Sequence, residues 1–229
     1  MKYSIIIPTY NHCEDLLKPC LESLIKNTDL SNVEIIVVAN GCTDDTVATV
    51  ANLGHPFKLI HDARPLGYTV ATNLGIKIAT GDYVVLLNND TVLLDWQGKS
   101  DWLRILEEPF QDPDVWMTGP LSLYDHDVKS DFLVFCLAMI KREALDQLGI
   151  LDEIFNPGYG EDIDFNMKIK LAGKKTVEVA RVNNPDGTSH SHYPFWHKST
   201  QTFGAIPEYG NVIVPRNQAI LRSRYANGL

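Results

Sequence analysis

Three short segments carry residue types that can move a proton or hold a cation. In Gly160-Glu161-Asp162-Ile163-Asp164, three carboxylates fall within four residues. They repel one another, yet they lie where a helix is predicted to start, and the dipole there favours anions. An acid in a first helical turn sits on a rigid edge, suited to take a proton from a bound hydroxyl. Glu161 and Asp162 point about a quarter-turn apart, so they are expected to do different jobs, with Asp164 on a third face. A merely acidic helix start is the competing reading. In Asn88-Asn89-Asp90 a carboxylate directly follows an apolar strand, where it can hold a hard cation against a diphosphate. Asn and Asp also build plain turns. His190, His192 and His197 form the third group. His-x-His turns both rings to one side of an extended chain, which allows a metal or phosphate contact as well as a packing role.

The elements that must position these groups are legible as hydrophobic patterns. Tyr3 to Ile7, Glu34 to Val38, Phe57 to Ile60 and Asp82 to Leu87 read as buried strands. Between them, helices are predicted over Glu14 to Asn27, from Thr43-Asp44-Asp45 to Gly54, and over Tyr68 to Ala79. Strands that are apolar throughout, alternating with amphipathic helices, predict an α/β fold with a mostly parallel sheet flanked by helices. Ligands of such sheets bind beyond the carboxyl ends of the strands. Thr9-Tyr10-Asn11, Ala39 to Asp45 and Asn88 to Asp90 occupy those places and are polar. The Ala39–Asp45 turn opens a helix, whose free N–H groups can meet an anion or the edge of a base, or simply be capped by Thr43 or Asp44. Neither GxGxxG nor GxxxxGK[ST] occurs.

The second half is predicted to hold a helix over Trp102 to Glu108 and a strand over Val115 to Thr118. One strand then runs from Phe132 to Ile140, followed by a helix over Glu143 to Leu148. After the Phe155–Gly160 loop a helix runs from Glu161 to Gly173, and a strand follows near Val177 to Ala180. No linker interrupts the chain, so one domain is expected over 1–229. Its halves are 1–91 and 92–204, with a tail over 205–229 whose Arg and Tyr residues pack a helix or meet a ligand.

Composition bounds the rest. A chain of 229 residues with 20 Lys and Arg against 29 Asp and Glu has a net charge of −9. This argues against nucleic acid and anionic membranes as partners. Cys13, Cys20, Cys42 and Cys136 show no CxxC spacing, which suits reduced thiols in the cytoplasm. No apolar run is long enough for a signal peptide or a spanning helix, so membrane contact is expected to be peripheral at most. Nothing in the sequence excludes a homodimer.

Taken in order, these segments resemble the family 2 inverting glycosyltransferases, which have the GT-A fold, and within them a rhamnosyltransferase-like branch. Ser4 to Asn11 is similar to the opening S-I-I-I-P-T-Y-N strand, and Val38 to Thr46 to the V-D-D-G-S-x-D-x-T turn. Gly67 to Gly75 resembles the G-x-x-x-A-x-N-x-G helix, and Leu86 to Thr91 the L-L-N-x-D segment that stands in for D-x-D. Leu137 to Asp152 and Gly160 to Asp164 look like the l-i-r-r-e-a-l-x-x-l-G-x-l-D-E stretch and the G-E-D-x-D motif. The resemblance implies that a nucleoside-diphosphate sugar (UDP-, dTDP- or GDP-linked) binds at Pro8, Thr9, Tyr10, Asn11, Asn40, Cys42, Arg64, Gly67, Asn73, Asn88 and Asn89. It implies Mn²⁺ or Mg²⁺ on Asp90, Asp162 as general base, and Glu161 orienting an acceptor hydroxyl of a glycan or lipid-linked saccharide.

The chain departs from the family at three places. Ala39 and Asn40 stand where the family has Asp, Pro65 where it often has Asn, and Asp90 is the sole acid of its motif. His190 or His192 is expected to complete the metal shell, a ligand that suits Mn²⁺ better than Mg²⁺. These departures keep a non-catalytic nucleotide-sugar-binding module open as the alternative, and the same transfer onto a modified nucleobase is a further one. A nucleotidyltransferase would need a Gly-rich basic loop that Pro8-Thr9-Tyr10-Asn11 does not supply.

Overall fold

The structure is a computed structural model that describes residues 2–95, 98–183, 189–199 and 208–225. Its framework is a seven-stranded sheet. The strands β1 (Tyr3–Thr9), β2 (Val33–Asn40), β3 (Lys58–Asp62), β4 (Tyr83–Leu87), β6 (Val115–Gly119), β9 (Leu137–Lys141) and β10 (Lys175–Glu178) stand in the order β10-β6-β9-β4-β1-β2-β3. All are parallel to their neighbours except β9, which runs antiparallel between β4 and β6. β1 and β2 are buried at every position, as strands covered on both faces must be.

The pleat sorts β1 between two cores. Ile5 and Ile7 join α1 (Lys18–Asn27) and α4 (Asp101–Glu107) on one face. Ile6 joins α3 (Tyr68–Ile78), α5 (Arg142–Leu148) and α6 (Glu161–Leu171) on the other. Successive side chains of a strand point to opposite faces, so one isoleucine run serves both layers. Gly75 lets α3 lie close on this sheet, since a Cβ there would stand 2.4 Å from Ile6 Cγ2. The short α2 (Thr46–Asn52) follows the β2 turn.

The predicted strand over Phe132 to Ile140 is in fact two. β8 (Ser130–Leu133) forms a separate hairpin with β7 (Ser122–Asp125), and β9 starts only at Leu137. The buried Asn166 amide ends β8 by bonding Leu133 twice, accepting from its N–H at 3.0 Å and donating to its carbonyl at 3.1 Å. The turn between them, Val134 to Cys136, stays apolar because it is buried or faces the cleft, so hydropathy alone carries no break.

Two smaller pieces complete the framework. β13 (Phe195–His197) pairs antiparallel with β5 (Thr91–Leu93), and β11 (Arg181–Asn183) with β12 (Ser189–Ser191). The tail forms α7 (Val214–Tyr225), whose Leu221 and Tyr225 pack with Phe155, Ile163 and Met167 in a third core. Packing onto the domain is thus what the tail's helix does. Among the described residues, no helix is long and apolar enough to cross a membrane, and all four cysteines are free.

Candidate functional site

A cavity of about 730 Å³ opens beyond the carboxyl ends of β1, β2 and β4, where an open α/β sheet binds its ligands. Pro8, Thr9, Tyr10, Asn40, Asn88 and Asn89 form one wall. This wall is braced from within. Asn89 Nδ2 donates to Thr9 Oγ1 at 2.9 Å, and Asn40 Nδ2 donates to the Thr9 carbonyl at 2.8 Å. Adjacent strand ends are thereby locked in register, so the wall is set before any ligand arrives.

Other residues expected at this wall stand elsewhere. Asn11 and Cys42 lie at the rim and brace the two loops: the Thr43 N–H donates to Asn11 Oδ1 at 2.8 Å, and the Asn11 N–H to Cys42 Sγ at 3.3 Å. Arg64 is exposed and forks onto Asp62 at 3.0 and 2.7 Å. Gly67 does line the cavity, with φ +82°, and a Cβ there would meet Pro157 Cα at 2.7 Å. Asn73 is fully buried under α3, bonded to the Leu151 carbonyl (2.8 Å) and N–H (3.1 Å) and to Glu153. Its side chain ties α3 to the segment after α5 and does not reach the cavity.

Asp90 sits at the cavity floor, 8% exposed. The His-x-His spacing favours His190 and His192, but His192 is exposed and does not line the cavity. The backbone of His190 pairs with Val182, and its side chain lies outside the described residues. The β13–β5 ladder instead sets His197 opposite Thr91, with its Nε2 3.1 Å from Asp90 Oδ1. Burial opposes charge on this ring, but the neighbouring Asp90 and then Cys136 favour its protonated form and carry the pKa up to about 10. Although the two atoms are at ion-pair distance, neither makes an aligned hydrogen bond, and Asn88 Oδ1 nearby is also buried without a partner. One carboxylate oxygen and one imidazole nitrogen suit Mn²⁺. Among the described residues no cluster of three or more His, Cys, Asp and Glu forms. The other positions would therefore fall to phosphate oxygens and water.

Across the cavity α6 presents its N-terminus, capped by Gly160 at φ +97°. Glu161 is 6% exposed and its Oε2 has no partner. Burial, and then the neighbouring Asp162 charge, push the Glu161 carboxyl well above the usual carboxylate range. Asp162 accepts the Ile163 N–H at 2.9 Å and is raised to about 6, again by burial. By surface area Asp162 is only half-buried, because it faces the cleft while protein encloses it on the other sides. The two carboxyls titrate as a pair in which Glu161 keeps the proton longer. Asp162 is then the anion near neutrality, where a general base works best.

The remaining lining is aromatic and apolar and comes from scattered segments: Tyr68, Tyr124, Phe132, Phe135, Tyr159 and Tyr209 among them. Sequence spacing carries no signal for these, since their neighbourhood is tertiary. No lysine or arginine lines the cavity among the described residues, while Asp90, Asp125, Glu161 and Asp162 do.

Comparison with known proteins bears on this geometry. The sequence model of the family described as "Glycosyl transferase family 2" matches residues 4–125. The chain is 27% identical over 231 residues to "Uncharacterized protein y4gI" of Sinorhizobium fredii, covering 82% of this chain and 25% of that protein. It is 32% identical over 220 residues to "O-antigen biosynthesis protein RfbC" of Myxococcus xanthus, covering 79% of this chain and 17% of that protein. The chain thus spans a quarter or less of either relative. Among solved structures it resembles the mannosyltransferase PcManGT from Pyrobaculum calidifontis in complex with GDP-Man and Mn²⁺. That match has a TM-score of 0.63 at 24% identity, covering 77% of this chain and 54% of that one. The likeness shows that the fold is the GT-A fold.

Proposed function

The chain belongs to glycosyl transferase family 2, and from that membership we propose that it moves a sugar from a nucleoside-diphosphate donor to an acceptor hydroxyl with inversion. One observation carries the reading. The Asp90–His197 ion pair and the raised Glu161–Asp162 pair face the same cavity. A binding module has no use for a carboxylate tuned to accept a proton.

In this scheme Thr9, Tyr10 and Asn40 hold the nucleoside, and Asn88 and Asn89 flank the diphosphate. Asp90 and His197 would hold a divalent ion, Mn²⁺ by the mixed ligand chemistry, and that ion would offset charge on the departing diphosphate. Asp162 takes the proton from the acceptor hydroxyl as its oxygen bonds to the anomeric carbon, whose bond to the diphosphate oxygen breaks on the opposite face. Glu161, still protonated, donates a hydrogen bond toward the acceptor and leaves the single negative charge on Asp162. The matched protein of Myxococcus is named for O-antigen synthesis, and PcManGT was solved with GDP-Man and Mn²⁺. The first name favours a polysaccharide or lipid-linked saccharide product here, and the second a nucleotide-sugar donor with Mn²⁺; the rhamnosyltransferase-like branch is the finer assignment in this proposal. Four free thiols favour work in the cytoplasm.

The test is a thermal-shift panel of UDP-, dTDP- and GDP-sugars with and without Mn²⁺, followed by donor hydrolysis on any that bind. A ligand held only by the folded state raises the melting temperature. Failure of every nucleotide to raise it in the presence of Mn²⁺ would sink the proposal.

A further inference from the structure

The donor wall accounts for half of the cavity, and the other half has a chemistry of its own. It is built by the β7–β8 hairpin, which lies against α6, and by the loop that leads into α6. Tyr124, Phe132, Tyr159 and Tyr209 supply ring faces, and its charged groups are Asp125 and the proposed base Asp162. Tyr159 and Tyr209 each lie within electrostatic range of Asp162, and Tyr159 also of Asp125. The residues outside the described set (1, 96–97, 184–188, 200–207 and 226–229) include no lysine or arginine. No cation from them can balance these acids.

Tyr159 is held in an unusual way. Its φ of +77° lies in the left-handed region that a tyrosine seldom adopts. Such conformations persist where the surroundings over-determine them, and they cluster at ligand sites. The surroundings here are specific. Asn217 of α7, fully buried, donates to the carbonyls of Phe155 (2.9 Å), Gly158 (3.1 Å) and Tyr159 (2.7 Å). Gln218 Nε2 donates to the Tyr159 hydroxyl at 3.0 Å. The tail helix thus fixes both the backbone and the ring tip of one tyrosine, directly beside Gly160-Glu161-Asp162.

We infer that this half of the cavity is an acceptor subsite for an uncharged saccharide ring, stacked on Tyr159, from which Asp125 turns anionic acceptors away. The inference rests on the transferase reading above and adds the acceptor's charge class. A pyranose presents an apolar C–H face to an aromatic ring and hydroxyls at its edge, which suits a tyrosine-lined wall with a carboxylate at one end. A uronate or a sugar phosphate would bring a second negative charge close to Asp125 and Asp162, where no lysine or arginine lines the cavity among the described residues and His197 stands in the donor half beside Asp90.

The test uses a matched pair of acceptors, p-nitrophenyl β-glucoside and p-nitrophenyl β-glucuronide, with Mn²⁺ and whichever UDP-, dTDP- or GDP-sugar the wild type hydrolyses. The neutral glycoside is expected to be used with kcat/KM at least tenfold above the glucuronide. Asp125→Asn keeps the oxygen that accepts the Asp127 and Val128 N–H groups at 2.9 Å, so its turn is retained. It should raise use of the glucuronide at least threefold. Tyr159→Ala should raise KM for the glucoside about tenfold or more with a much smaller change in kcat, and Tyr159→Phe should restore most of the loss. Equal use of the two glycosides, an unchanged ratio in Asp125→Asn, or donor hydrolysis with neither glycoside accepted would overturn the inference and leave the transferase reading intact. No turnover of any nucleotide sugar with Mn²⁺ overturns both.

Discussion

Replacing Asp162 by Asn separates the chemistry of this site from its folding. The carboxyl is raised from 3.8 to about 6 by burial, against opposing backbone N–H groups. The folded state therefore binds its proton more tightly than the unfolded chain does. Ionised Asp162 costs nothing below about pH 4, where it is protonated in both states, and its full cost is present above about pH 6. A displacement of that size corresponds to roughly 3 kcal/mol, and contact with cleft water trims it to ~1–3 kcal/mol. For a chain of this length each kcal/mol moves the melting temperature by about 2–4 °C, so the Asn variant should melt ~2–12 °C higher than wild type at neutral pH. The gain should vanish below about pH 4. Transfer should fall by about 10²–10⁴-fold, the usual worth of a positioned general base. Wild-type kcat/KM should itself decline about tenfold per pH unit below about pH 6. Calorimetry across this pH range, paired with transfer assays, checks all of it. An Asn variant that melts like wild type at every pH refutes the desolvated carboxylate, and one that turns over normally refutes the base.

Three other perturbations probe separate parts of the molecule. Asp90→Ala and His197→Ala should each abolish the Mn²⁺-dependent part of nucleotide binding measured by titration calorimetry, whereas His192→Ala should not; equal effects at all three would remove the Asp90–His197 pair from the site. Asn217→Leu removes the donor to three carbonyls, of which only that of Phe155 keeps another, the Gly158 N–H, and should destabilise by ~2–4 kcal/mol in denaturant melts, whereas Arg222→Ala, which breaks an exposed pair with Asp127, should change stability by less than ~1 kcal/mol. Burial alone would raise Glu34, but Lys58, Ser4 and Thr80 hold it down at about 2. Its stabilisation, roughly 3 kcal/mol, is present above about pH 4.5 and lost as pH falls toward about 2, so Glu34→Gln should lower the melting temperature at pH 7 and make little difference at the acid end.

The sheet was legible because its strands are buried on both faces, and Ile5 to Ile7 or Tyr83 to Leu87 cannot be read as anything polar. What lies at strand ends followed from the same pattern, since a polar turn after an apolar strand marks the ligand edge. The differences between expected and observed placement share one cause. His197 reaches Asp90 only because β13 pairs with β5 in one register, with Phe195 opposite Leu93 and His197 opposite Thr91. That pairing joins segments about a hundred residues apart, and nothing in the local spacing announces it. Asn73 carries a motif position, but its amide serves Leu151 and Glu153, a packing demand as binding as a ligand. The aromatic wall is invisible for the same reason, because its rings come from a hairpin, a loop and the tail.

The G-E-D-x-D segment also resolves how three carboxylates can share one helix start. Asp164 is neutralised by cations: Arg224 donates to its Oδ1 at 2.8 Å, Lys168 stands 2.7 Å from its Oδ2, and the Tyr225 hydroxyl adds a bond at 2.7 Å. That acid therefore belongs to the tail, where it anchors α7, and not to the cleft. Glu161 is neutralised by its own proton, because burial beside Asp162 makes a second anion too costly. One net charge remains, on Asp162, at the open end of the dipole that favours it. Arg224 also reaches Asp152 at 2.8 Å, so the helix that compensates Asp164 is tied to the segments before and after the loop that holds Tyr159. The carboxylate proposed as the base lies on the helix that α7 anchors through Asp164, and the ring proposed to hold the acceptor is fixed by α7 itself, so loosening α7 should degrade base strength and acceptor binding together.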